Sequence, residues 1–308
     1  MPRIKEIHYF DRKINDPRGA IRRFLGRHSL DQQWRRQVAY CVKSHLIRNF
    51  SLEDLLWDFK YYMRSPNDQW YASIFEPGKG RATGEITPAY STLGKDKVGH
   101  VYEMMPRTKI IFMMRNPIER AWSQTVMSFD KEEKGSAKSV SEKRFLRRLE
   151  RNSSALLTDY RQALKNWSSF YPEEQIFVGF LEDVHFYPNC LLRHLYVFLD
   201  TDPSFEPPTA RKRIHSRSEN KMPTSLATRL ARTYYDELVQ LSERFGGYAS
   251  FWLYCAQRLI GNPPAEETIP YPLWESPLWR EWTSSPGQAP MMSSREAEPQ
   301  SGRLSDLL

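Results

Sequence analysis

Long apolar runs are missing from this 308-residue chain. The cleanest, Ile110 to Met114, is far short of the roughly 20 residues that cross a bilayer, so no membrane-spanning helix is expected. Met1-Pro2-Arg3-Ile4-Lys5-Glu6 lacks the apolar core of a secretion signal, and the chain reads as soluble and cytoplasmic. Cysteine is scarce as well. Cys41, Cys190 and Cys255 are odd in number, far apart and without C-x-x-C spacing. That excludes a disulfide framework and leaves no zinc pattern; all three read as small buried apolar residues, and no metal is expected. Internal repeats are absent. So is a G-x-x-x-x-G-K-[ST] loop: the Gly78-Lys79-Gly80-Arg81 cluster follows no apolar strand and reads as a surface loop.

What is present is enough hydrophobic (40%) and aromatic (13%) residue to bury a sizeable core, in one large domain or two small ones. The formal charge of +8 and pI of about 9.3 suit a polyanionic partner. Nucleic acid, an anionic membrane surface, a sulfated glycan and a multiply phosphorylated nucleotide all qualify. With no nucleic-acid motif or stacking pattern in the chain, nucleic acid is not the expected partner.

Patterning supplies the elements. Lys5 to Phe10 reads as a short strand. Asp31 to Asn49 reads as a helix, from Trp34, Val38, Val42 and Leu46, and a second starts at Ser51 with Leu55, Leu56 and Phe59 as its apolar residues. Ser65 to Gly84 reads as a loop. Lys109 to Met114 is a buried strand leading into a helix from Pro117 to about Phe129, Ile176 to Leu181 another strand, and Leu191 to Leu199 another helix. A long amphipathic helix is expected from Pro223 to Gly246-Gly247. Strands alternating with helices indicate a parallel α/β sheet flanked by helices. From about residue 261 prolines and serines take over, and residues 261–308 read as an extended or disordered tail that Trp274, Trp279 and Trp282 would be able to dock.

The turn after the strand at 110–114 concentrates the chemistry. Asn116 suits an N-cap and Pro117 the first helical position, which puts Arg115 at the carboxyl end of a parallel strand, where open α/β sheets bind ligands. Asn116, Arg120, Ser123 and Met127 then share one helix face. From spacing alone this face is either an anion site or a pair of arginines salt-bridged at a helix start.

Arg115-Asn116-Pro117-Ile118-Glu119-Arg120-Ala121-Trp122-Ser123 resembles the R-N-P-x-x-R-x-x-S segment of sulfotransferases that use 3′-phosphoadenosine-5′-phosphosulfate (PAPS). The resemblance implies that Arg115 and Ser123 hold the donor's 3′-phosphate. Lys5-Glu6-Ile7-His8-Tyr9-Phe10-Asp11 is similar to the K-E-x-H-F-F-D strand of the heparan-sulfate branch and related bacterial enzymes. That likeness implies Glu6 as the base for the acceptor hydroxyl, His8 as its supporting group and Lys5 on the acceptor side. Gly84-Glu85-Ile86-Thr87-Pro88-Ala89-Tyr90 looks like the acceptor-lining G-E-K-T-P-x-Y segment, with Ile86 where Lys is frequent, so Thr87 and Tyr90 are expected to meet substrate. Arg211-Lys212-Arg213 matches a late loop near the nucleotide.

The resemblance covers about Arg3 to Trp252 and implies a sulfotransferase domain over 1–260, of P-loop-NTPase-like fold. It lacks the family's P-K-x-G-T-T phosphosulfate loop, so an N-terminally truncated fold is expected. The implied activity is sulfuryl transfer from PAPS to a hydroxyl of a carbohydrate or small molecule. The alternative is an inactive homologue, truncated or a pseudoenzyme, that binds nucleotide or polyanion without turnover.

Overall fold

The computed structural model describes residues 6–11, scattered positions between 24 and 41, and residues 52–133, 142–151, 158–210, 221–285 and 300–307. Lys5, Arg211, Lys212, Arg213 and most of the helix expected over 31–49 lie outside the described residues. The chain divides into two compact units, Met1–Leu93 and Gly94–Leu308.

The first unit is built around a helical hairpin, α1 (Leu52–Met63) and α2 (Asp68–Ile74). The apolar residues of α1 do not face inward: Leu55, Leu56 and Phe59 are exposed, and Trp57, Asp58 and Tyr62 are buried. Indole hydrogen bonding explains the choice. Trp57 Nε1 donates to the Ile74 carbonyl at 2.8 Å, and Trp70 Nε1 to that of Lys60 at 3.0 Å, so each helix satisfies an aromatic of the other. The loop expected over 65–84 contains α2, started by Asn67, whose side chain accepts from the Trp70 amide at 2.7 Å. The strand expected over 5–10 is also corrected. Residues 6–8 carry no regular structure, 9–11 turn, and His8 takes φ 58°, the left-handed region that ends extended pairing. Ile7, Tyr9 and Phe10 are buried nonetheless, with the Tyr9 ring stacked 4.9 Å from Tyr71.

The second unit is helix-rich α/β. In order come α3 (Lys95–Met104), β1 (Ile110–Met114), α4 (Pro117–Glu133), α5 (Glu142–Arg151), α6 (Tyr160–Ser168), β2 (Ile176–Phe180), α7 (Leu181–Phe186) and α8 (Pro188–Phe198). These are followed by β3 (Lys221–Pro223), α9 (Thr224–Thr233), α10 (Tyr235–Phe245), α11 (Gly247–Gly261), β4 (Thr268–Pro270), α12 (Pro277–Thr283) and β5 (Gly302–Arg303). Strands β1 and β2 pair in parallel, Ile110 opposite Ile176 through Met114 opposite Phe180. β2 is buried throughout. β1 is not: Phe112 and Met114 point inward while Ile111 and Met113 are exposed, because β1 is an edge of the described sheet. The end of the exposed Met113 side chain lies over Gly179, where a Cβ would come 2.3 Å from Sδ. The helix expected over 223–246 is two, broken at Tyr234, and α11 is the core helix, burying Phe251, Trp252, Cys255 and Leu259 while Ser250, Tyr254, Gln257 and Arg258 form its outer face.

The C-terminal segment departs most from expectation. Residues 262–285 and 300–307 form β4, α12 and β5, the last adding antiparallel to β2. Two forces fix it. Trp279 meets Phe251 edge-on at 4.7 Å and stacks on Phe186 at 5.4 Å, while Trp274, Leu278 and Trp282 are buried. Buried carboxylates also draw on donors from this segment. Asp183 accepts from the Ser301 amide (2.7 Å), the Ser301 hydroxyl (2.6 Å) and the Tyr248 hydroxyl (2.9 Å). Among the cysteines only Cys255 is buried as expected; Cys41 and Cys190 are half-buried, and the Cys41 thiol donates to Asp58 at 2.9 Å.

Glu182 is buried with less to satisfy it than Asp183. Its Oε1 accepts from Trp252 Nε1 at 2.6 Å, and Oε2 has no partner among the described residues. Burial, followed by the negative charge of Glu119, pushes its carboxyl up to about 8. A folded-state value above the unfolded one makes ionisation destabilising: the penalty is absent below about pH 4, builds through the interval and is complete above about pH 8. Glu182→Gln is therefore expected to stabilise the protein on the order of 2–4 kcal/mol at pH 8 and by little at pH 5. Thermal melts of both proteins across that range check it; equal melting temperatures at pH 8 would refute the account.

Candidate functional site

In the first unit, His8 sits between two carboxylates. Its Nε2 lies 3.1 Å from Glu6 Oε2 and its Nδ1 2.7 Å from Asp11 Oδ2. The left-handed backbone at His8 makes this possible, since it folds positions 6 and 11 back onto the same ring; such strain persists where the surroundings enforce it. The enforcing residue is Glu85. Its Oε2 accepts from the Ile7 amide (3.1 Å) and Thr87 Oγ1 (2.7 Å), its Oε1 from the Tyr71 hydroxyl (2.7 Å) and the Tyr90 hydroxyl (2.9 Å). The Tyr90 oxygen in turn accepts from the Tyr9 amide at 2.8 Å, and the Tyr9 hydroxyl donates to Asp68 at 2.5 Å. Burial first, then the Glu85 charge, holds the Tyr90 hydroxyl well above the usual phenol range, so it stays a donor. Glu6 itself is exposed, with 43% of its side chain open to solvent.

Thus Glu6 and His8 come together as the sequence implied, by a turn rather than a strand. Thr87 and Tyr90 turn their hydroxyls inward onto Glu85 and brace the segment that carries Glu6. Asp11 and Glu85, which hold the His8 ring and the turn around it, carry no assignment from the sequence. Both were inside the quoted motifs, at the end of K-E-x-H-F-F-D and the start of G-E-x-T-P-x-Y.

In the second unit, β1 delivers Arg115 and Asn116 to the start of α4. The Asn116 side chain is fully buried and its oxygen accepts from the Ile118 amide at 3.1 Å, capping the helix. Arg115 donates through Nε and Nη2 to Glu119 at 3.2 Å, and through Nη2 to the Tyr271 hydroxyl, over whose ring its guanidinium lies at 5.1 Å. Of the two readings the spacing allowed, the salt-bridged arginine is therefore realised in this structure. Burial opposes the Arg115 cation, but Glu119 and Tyr271 outweigh it and raise its proton affinity. Glu119 is more deeply buried than Arg115; desolvation raises its carboxyl despite Arg115 and despite the Leu273 amide, which donates to it at 2.6 Å.

The same corner retains donors for a ligand. Arg115 Nη1 makes no hydrogen bond among the described residues, and the buried Asn116 Nδ2 and Arg120 Nε have no acceptor. Buried orphan donors are uncommon, and here they cluster at a helix N-terminus, which favours an anion. Ser123 lies half-buried two turns further along. These groups fit a phosphate. Tyr271 and Leu273, from 150 residues away, had no local signal.

No curated protein sequence matches the chain. A crystal structure of a sulfotransferase from Alicyclobacillus acidocaldarius is similar at 19% identity and a TM-score of 0.49, over 79% of this chain and 83% of that one. Among the described residues no helix is long and apolar enough to cross a membrane. The sequence model described as "Sulfotransferase family" matches residues 3–207, two thirds of the chain, and the chain belongs to that family.

Proposed function

We propose that this protein transfers a sulfuryl group from PAPS to a hydroxyl of a carbohydrate or small-molecule acceptor. The observation that carries the reading is the R-N-P turn at the end of a parallel strand, inside the matched family region, with orphaned donors around a half-buried arginine. The donor, when bound, supplies the sulfuryl group, which passes from its phosphate oxygen to the acceptor oxygen and leaves adenosine 3′,5′-bisphosphate.

The chain's own residues divide the remaining work. Arg115 offers Nη1 to the 3′-phosphate while Glu119 and Tyr271 hold the guanidinium plane in place, and Asn116, Arg120 and Ser123 complete the anion site. Arg211, Lys212 and Arg213 add positive charge towards the nucleotide in this proposal. Glu6 takes the proton from the acceptor hydroxyl as its oxygen bonds to sulfur. His8, fixed by Asp11, orients the Glu6 carboxylate through Nε2. Lys5 contributes to acceptor binding, and Thr87 and Tyr90 support the acceptor edge through Glu85.

Adenosine 3′,5′-bisphosphate is expected to raise the melting temperature of the wild type, and Arg115→Ala to abolish the shift. At 100 times the dissociation constant the stabilisation is about 2.7 kcal/mol, well within reach of a thermal melt. A shift undiminished in Arg115→Ala removes the turn from the nucleotide site. Radiolabelled transfer from PAPS separates an enzyme from a nucleotide binder without turnover.

A further inference from the structure

Helix α5 is unusually basic: Lys143, Arg144, Arg147, Arg148 and Arg151 fall within ten residues. Its roll is fixed from beneath. Phe145 is buried with Val126, Phe129 and Leu226, and the Ser225 hydroxyl on α9 donates to Glu142 at 3.1 Å. Arg144 and Arg148 consequently lie over the Phe129 ring, each at 5.3 Å. The next face presents Lys143 and Arg147, one turn apart, towards Arg229 of α9. The three cations, Leu146 and Glu142, whose carboxylate is bonded to Ser225, line a concavity of about 460 Å³.

Among the described residues none of Lys143, Arg147 and Arg229 makes an ion pair, whereas Lys60, Lys109, Arg161 and Arg258 all do. Like charges one turn apart weaken a helix, and a third cation across the concavity adds to the repulsion. An anion in the concavity relieves it. We propose that this basin binds an anionic oligosaccharide segment through its sulfate or carboxylate groups. It is a second site by its residues: none of Arg115, Asn116, Arg120 and Ser123 lines it, and Trp122 of α4 stacks on Phe145 beneath it at 5.2 Å.

The lining selects that ligand. Guanidinium forks match sulfate and carboxylate oxygens in pairs. No aromatic side chain lines the concavity, so it lacks the stacking platform that single-stranded nucleic acid uses. Its volume falls in the range of sites for compact ligands and suits a short saccharide. The proposal does not depend on the donor-site reading, since binding is measured without donor.

The test is fluorescence anisotropy of a labelled heparin octasaccharide, titrated with wild type and with the Lys143→Ala/Arg147→Ala/Arg229→Ala variant. The variant is expected to bind at least tenfold more weakly at 50 mM salt, with an unchanged melting temperature. The slope of log affinity against log salt should fall by about two to three. Arg161→Ala, which removes a cation outside the basin, should leave affinity within twofold. Should the alanine variant melt early, the three glutamine substitutions keep part of the aliphatic stems and carry the same test. Unchanged affinity in a folded variant overturns the proposal. So does a single-stranded oligodeoxynucleotide of equal charge that binds as tightly as the octasaccharide and is lost in the same variant.

Discussion

Glu6→Gln is expected to lower sulfuryl transfer by about 10²–10⁴-fold, the usual contribution of a positioned general base, while leaving the thermal shift by adenosine 3′,5′-bisphosphate intact. The substitution keeps the shape of the side chain and an oxygen that can still accept from His8 Nε2, so the bond seen at 3.1 Å need not be lost. What it removes is the ability to take a proton. Glu6 is open enough for a hydroxyl-bearing acceptor to reach, whereas the other carboxylate of the constellation, Asp11, is committed to His8 Nδ1. Nucleotide binding is assigned to residues of the other compact unit, which makes it an internal control on folding. Single-turnover transfer of radiolabelled sulfate is the measurement. A loss of less than tenfold would take the base role away from Glu6.

How much of this was legible in the sequence depended on how far apart the interacting groups lie. The strand and turn at 110–117 were readable because a run of Ile, Phe and Met followed by Asn-Pro has one economical solution, and β1 and α4 form there. Glu6 and His8 were readable as partners, two residues apart, but their geometry was not: alternation predicted a strand, and the left-handed backbone of a non-glycine residue leaves no mark in a residue pattern. The inward face of α1 was not legible because an indole with a backbone partner took the buried position while Leu55, Leu56 and Phe59 stayed exposed. The C-terminal segment was illegible for a different reason. Its order comes from Glu119 and Asp183, acids distant in sequence whose burial demands the Leu273 amide and the Ser301 donors. Periodicity cannot report a demand made by another part of the chain.

Glu85→Ala is expected to destabilise the first unit by about 3–5 kcal/mol, in the range of losses from a broken buried network. The carboxylate receives four donors, the Ile7 amide and the hydroxyls of Tyr71, Thr87 and Tyr90, and deleting it strands all of them at once. Hydrogen bonds to a charged acceptor contribute about 1.5–3 kcal/mol each, and they are not additive, so the total falls well below four times that figure. For a unit of this size the melting temperature should drop by roughly 12–40 °C. Tyr71→Phe removes one donor and leaves the acceptor with three, so its cost should be about 1 kcal/mol. The local signature is more telling than the global one. Because Glu85 and Tyr90 together hold the amides of Ile7 and Tyr9, hydrogen exchange at those two positions should accelerate in Glu85→Ala under conditions where the rest of the unit is still folded. The strained turn at His8 would then relax, Glu6 would lose its orientation, and transfer would fall with it although neither residue was altered. Protection at the Ile7 amide that survives the substitution would show that something other than Glu85 holds the turn closed.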